Sequence, residues 1–121
     1  ARGIKIGKNV YIGREIFFDR IFPGLITIGD NTSIGDRCII ATHARATLPQ
    51  ESRTWKIFEK VESVEIGSNV WIMPGVTIVP GVKIGDNVAI KTGCVVDTKI
   101  PKGSFVVPSK PKITDLPKYF E

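Results

Sequence analysis

The sequence predicts an all-β protein: a three-sided parallel coil of about four triangular turns, with one loop thrown out from a corner. Three observations carry this. Isoleucine or valine recurs every six residues, at Ile6 and Ile12, at Ile28, Ile34 and Ile40, and at Ile66, Ile72, Ile78, Ile84, Ile90 and Val96. The fifth residue of each hexad is small or apolar, from Val10 and Ile16 through Cys38 and Val70 to Cys94 and Ile100. The fourth is Asn or Gly in seven of eleven hexads: Asn9, Asn31, Asn69, Gly75, Gly81, Asn87 and Gly93.

A period of six excludes the obvious alternatives. Six helical residues at about 100° each would send successive isoleucines to three different faces. A flat antiparallel sheet needs hairpins and offers no reason for six. Three short strands joined by three corners do: β-branched residues suit the strands, and Asn or Gly suits a corner that needs φ > 0. The first and fifth residues then point into the prism, and turns stack at the strand spacing of about 4.8 Å.

In chain order, Ile6 to about Phe18 forms a first coil, followed by a four-residue irregularity before Ile28. The hexads at Ile28, Ile34 and Ile40 form a second coil. From Ala46 to Ser63 the pattern lapses into polar sequence, which reads as an extruded loop over about 46–63. The hexads at 66, 72 and 78 form a third coil and those at 84, 90 and 96 a fourth. The coil domain is expected over 1–113, and 114–121 as a tail. Cys38 and Cys94 both fall at inward positions and read as compact core residues. Tyr11, Phe17, Ile39 and Trp71 fall at outward positions, so so short a prism is expected to associate with copies of itself.

Composition narrows the function. Of 121 residues, 42% are hydrophobic and 24% charged, the balance of a soluble globular domain. No apolar run approaches the ~18 residues of a membrane span. No signal-peptide pattern opens the chain, so a cytoplasmic location and no membrane partner are expected. The net charge of +5 thickens toward the end, at Lys99, Lys102, Lys110, Lys112 and Lys118. Aromatic and basic residues are not interleaved as a nucleic-acid surface would require, so no nucleic-acid partner is expected. One histidine and two cysteines, with no C-x-x-C pair, are a poor ligand set, and no metal is expected.

Certain stretches carry a family resemblance. They are Ile28-Gly29-Asp30-Asn31, Ile40-Ala41-Thr42-His43, Ile66-Gly67-Ser68-Asn69-Val70-Trp71-Ile72, Pro80-Gly81-Val82-Lys83-Ile84-Gly85-Asp86-Asn87, and the ending Val106-Val107-Pro108-Ser109-Lys110-Pro111-Lys112-Ile113. Over about 4–113 the chain resembles the hexapeptide-repeat acyltransferases, and within them the branch of the maltose and galactoside O-acetyltransferases. The resemblance implies a left-handed parallel β-helix, although parallel crossovers are right-handed in nearly all other folds. It also implies a homotrimer with active sites in the grooves between subunits. Acetyl-CoA would be a co-substrate, with no tightly bound cofactor. The helical segment that precedes the repeats in that branch has no counterpart ahead of the first hexad, so its part in acceptor binding falls to the extruded loop.

The resemblance makes His43, just ahead of the long loop, the catalytic residue. At the fourth position of its hexad it is expected at a corner, facing outward. A neutral imidazole suits removal of a hydroxyl proton near pH 7, and both cysteines are too interior to serve as nucleophiles. The tetrahedral intermediate needs a backbone donor, which the resemblance puts in the turn after Trp71. That turn contains Pro74, which has no N–H, so Gly75 is the donor expected if the turn supplies one. The arm of coenzyme A is expected along Trp71, Pro74, Gly75, Thr92 and Thr98, with Lys99, Lys102, Lys110 and Lys112 toward its phosphates. Asp19 and Arg53 are the candidates for acceptor binding. The alternative is a non-catalytic trimeric scaffold or ligand-binding protein on the same fold.

Overall fold

The computed structural model describes residues 3–44 and 59–117. Arg53 and most of the expected loop lie outside the described residues, as does the end of the tail.

The hexads fold as two- and three-residue strands on three faces. The first coil contains β1 (Lys5–Ile6), β2 (Tyr11–Ile12) and β3 (Phe17–Phe18), and the second β4 (Ile26–Ile28), β5 (Ser33–Ile34) and β6 (Ile39–Ile40). Two strands then leave the column, β7 (His43–Ala44) and β8 (Lys60–Val61), before β9 (Val64–Ile66), β10 (Trp71–Ile72) and β11 (Thr77–Ile78) make the third coil. The fourth contains β12 (Lys83–Ile84), β13 (Ala89–Ile90) and β14 (Val95–Val96), and β15 (Phe105–Val106) belongs to a partial fifth. Face A stacks β1-β4-β9-β12, face B stacks β2-β5-β10-β13-β15, and face C stacks β3-β6-β11-β14, all in parallel.

The core is the predicted one. Every first-position isoleucine or valine from Ile28 to Val96 is buried, as are Cys38, Val70, Val76, Val82, Val88 and Cys94 at fifth positions. Ile6 is 37% exposed, because the first coil has nothing stacked on its outer side. Burying each such side chain contributes about 1.5–3 kcal/mol before chain entropy is subtracted.

The corners explain the second and fourth residues of the repeat. At the fourth position φ is positive at Asn9, Asn31, Asn69, Asn87, Gly75, Gly81 and Gly93, and also at Glu15 and Arg37, which no Asn/Gly rule would pick. At the second position glycine is required by stacking: a Cβ on Gly35 would lie 2.5 Å from the nitrogen of Pro74, and one on Gly29 2.6 Å from the carbonyl carbon of Gly67. Aspartates tie neighbouring corners together, Asp86 accepting from the Ser68 N–H at 2.8 Å and Asp36 from the Arg14 N–H at 2.8 Å.

The rhythm breaks in three places. After Phe18 the chain makes a 3-10 turn at Pro23–Leu25, and the register from the first to the second coil is Lys5 to Thr27. After Thr42 it leaves the column, so His43 occupies no left-handed corner and Ala44 is exposed rather than inward. Instead His43 pairs with Val61 and Ala44 with Lys60 in an antiparallel ribbon, so the stem of the expected loop is strand. After Val96 the step is shorter: Ile100 pairs with Ile84, and Gly103 takes the corner in place of Lys99. The last strand ends at Val106, and Val107–Pro117 runs without regular structure.

The outward faces differ. Face A presents Lys5, Thr27, Glu65 and Lys83, whereas face B presents Tyr11, Trp71 and Phe105 and face C presents Phe17, Ile39 and Val95, all exposed.

Candidate active site

The four extra residues of the first coil and the departure of the second coil from the column meet at the edge between faces C and A. There Asp19, directly after β3, is buried with 1% exposure. Its Oδ1 accepts from the N–H groups of Ile21 at 2.9 Å and Phe22 at 2.8 Å, a local turn that an Asp two to three residues upstream favours. Its Oδ2 accepts from the N–H of Thr42 at 2.9 Å, the N–H of His43 at 3.1 Å and the ring Nδ1 of His43 at 2.5 Å. Thr42 adds a tie of its own, its hydroxyl donating to the Phe22 carbonyl at 3.0 Å. The Phe22 ring stands edge-on to the imidazole, centroids 5.8 Å apart.

Burial pushes the Asp19 pKa up, but the donors from Phe22, Thr42, His43 and Ile21 outweigh it and hold the carboxyl well below the usual carboxylate range. An ionised carboxylate only accepts. Nδ1 of His43 therefore carries a hydrogen, and in the neutral ring the lone pair sits on Nε2, on the far side from the carboxylate. This arrangement orients a base and stabilises the imidazolium it becomes.

The imidazole, 24% exposed, lines a cavity of about 220 Å³ with Ile21, Phe22, Ala44, Glu59 and Val61. Cys38 and Cys94 are buried, and burial pushes both thiols up and away from the reactive thiolate.

Two sequence expectations are corrected here. Asp19 is expected at the acceptor, yet both of its oxygens are covered by five donors beneath His43, leaving no face for a substrate. Gly75 is expected to offer its N–H, yet that group donates to the carbonyl of Asp36 at 2.9 Å, the ordinary tie between stacked corners. With Pro74 beside it, the turn after Trp71 presents no donor from either residue.

The remaining residues stand on different edges. Trp71 is exposed on face B, and Pro74, Gly75 and Thr92 cluster at the edge between faces B and C. Thr98 and Lys99 lie on the same edge as His43 but two coils away, while Lys102 lies across face A from them. Lys110 and Lys112 are exposed in the tail. One protomer thus brings Asp19 to His43 and Thr92 to Gly75, and keeps these two groups apart. Sequence reasoning missed Ile21, Phe22 and Val61; the signal available was an Asp opening the one irregular step ahead of a proline.

Comparison with known proteins agrees with the column. The family described as bacterial transferase hexapeptide (six repeats) matches residues 63–106. A putative acetyltransferase of Bacillus subtilis, YvoF, is 36% identical over 103 residues, covering 85% of this chain and 55% of its own length.

The chain belongs to the hexapeptide-repeat family.

A hexapeptide-repeat acetyltransferase of Vibrio cholerae O1 biovar eltor, solved with acetyl coenzyme A, superposes with a TM-score of 0.72 at 26% identity, over 86% of this chain and 55% of that one. A maltose O-acetyltransferase from Clostridium difficile 630 gives 0.67 at 30% identity, over 86% and 54%. The fold of this hexapeptide-repeat chain is accordingly the left-handed parallel β-helix. The chain spans about half the length of the curated relatives it matches.

Proposed function

We propose that this chain transfers an acetyl group from acetyl-CoA to a hydroxyl of a sugar-like acceptor, with His43 as general base and Asp19 as its positioning residue. The observation that carries the reading is the 2.5 Å contact between His43 Nδ1 and a buried carboxylate whose other partners are all backbone N–H groups. Such a carboxylate has no use in a plain corner of the coil. Nε2 takes the proton of the acceptor hydroxyl as its oxygen attacks the thioester carbonyl. The tetrahedral intermediate then expels the thiolate of coenzyme A, which takes the proton back from the imidazolium. The products are an acetyl ester and free coenzyme A.

Relatives of the same family solved with acetyl coenzyme A support the donor, and the galactoside and maltose O-acetyltransferases among them support an oxygen acceptor. The separation of His43 from Pro74 and Thr92 supports a homotrimer. A threefold arrangement sets one protomer's C/A edge against another's B/C edge, and the apolar faces B and C supply the contact. Along that groove Thr98 and Lys99 would meet the distal part of the coenzyme, with Lys102, Lys110 and Lys112 adding positive charge for its phosphates.

The occupied Gly75 N–H and Pro74 favour a second reading, a ligand-binding trimer without catalysis, since neither residue can stabilise an oxyanion. Release of free thiol from acetyl-CoA in the presence of a panel of glycosides separates the two. Transfer predicts acceptor-dependent thiol that His43→Ala lowers by about 10²–10⁴-fold, with little change in melting. No acceptor-dependent thiol, or full activity in His43→Ala, would sink the proposal.

A further inference from the structure

The cavity beside His43 has a composition that a free sugar does not match. Ile21 is 60% exposed and Val61 54% exposed, and with Phe22 and Ala44 they make its walls. Among the described residues lining it, only His43 and Glu59 bring a polar side chain. A polyhydroxylated ring pressed against Ile21, Phe22 and Val61 would leave hydroxyls without partners, at a cost for each. An apolar group would gain by leaving water there. The volume, about 220 Å³, equals roughly seven waters of liquid, which is room for an aryl ring or a short alkyl chain.

These walls are specific to this place in the coil. Ile21 and Phe22 belong to the irregular step that also supplies Asp19, and Ala44 and Val61 belong to the ribbon that also supplies His43. The segments that build the base therefore build the apolar walls as well, so a group held in the cavity sits against the imidazole. We infer that the cavity is an acceptor subsite for an apolar substituent, and that the preferred acceptor carries an aryl or short alkyl group next to the hydroxyl that is acetylated. This rests on the acyl-transfer reading for its second half only; the binding preference stands or falls by itself.

The experiment uses matched methyl and phenyl glycosides of glucose, galactose and N-acetylglucosamine, with the full chain. Binding is measured by titration without donor, and turnover is measured by thiol release with acetyl-CoA. The expected result is that the phenyl member of at least one pair binds tenfold or more tightly than the methyl member. Ile21→Ser and Val61→Ser should each reduce that ratio severalfold, with melting measured alongside. Val61→Thr keeps the β-branch and stands in if the serine variant loosens the ribbon. A phenyl-to-methyl ratio near one in the unaltered protein, or a preference that survives both wall variants, would overturn the subsite. Phenyl-selective binding with no thiol release would leave the subsite standing and remove the transferase reading instead.

Discussion

Asp19→Asn is the most informative single change, because it alters one atom and keeps the shape. The Asp19 carboxylate receives two backbone donors on Oδ1 and three donors, one of them the His43 ring, on Oδ2. An asparagine offers one accepting oxygen. Its best placement turns that oxygen to Thr42 and His43 and sets the amide NH₂ against the N–H groups of Ile21 and Phe22. Two buried donors are then without an acceptor, at about 1–3 kcal/mol each, or about 2–6 kcal/mol together. Differential scanning calorimetry should show a melting temperature lower by about 8 °C or more. The imidazolium also loses a charged partner for a neutral one, a difference of about 1–1.5 kcal/mol, so kcat should fall about five- to tenfold or more, with the KM for acetyl-CoA nearly unchanged. The acid limb supplies a third readout. A carboxylate whose pKa is depressed in the folded state stabilises the fold fully above its unfolded value of about 3.9, and that contribution is lost as pH falls below it. Wild type should therefore lose stability steeply below about pH 4, and the Asn variant should show a shallower slope there. An Asn variant with unchanged melting, acid slope and kcat would refute the role assigned to this carboxylate.

Other outcomes follow from the same geometry. Gly35→Ala should cost about 3 kcal/mol, since its Cβ would meet the Pro74 backbone at 2.5 Å, whereas Gly93→Ala, with φ of +88° and nothing within 4 Å, should cost only about 1 kcal/mol; urea unfolding ranks the two. Lys99→Glu and Lys102→Glu should raise the KM for acetyl-CoA and leave the melting temperature within a degree or two, and an unchanged KM would remove them from donor binding. Analytical ultracentrifugation at micromolar protein should give a trimer, and a persistent monomer would leave Pro74 and Thr92 with no His43 to face.

Much of this was legible before any coordinates. Isoleucine at intervals of six defines inward positions for any chain that turns a corner every six residues, so the buried list from Ile28 to Val96 could be written from the sequence. Positive φ at Asn31, Asn69 and Gly81 follows from which residues tolerate it. Glu15 and Arg37 take the same conformation because stacking forces the corner where the local residue does not ask for it. His43 could be singled out as the candidate base, but its surroundings could not. A repeat predicts only the coils that obey it, and the site sits where two coils break it.

What the sequence by itself determined is the column: its periodicity, its core, its corners and the places where the rhythm fails. Only the tertiary structure decided what those failures make. Asp19 and His43 are 24 positions apart in sequence, and no local rule relates them. They meet because stacking brings the end of β3 beside the end of β6, and a carboxylate taken out of water there must collect donors from both segments. The same stacking takes the Gly75 N–H for the carbonyl of Asp36, a partner that becomes available only when one coil lies on the next.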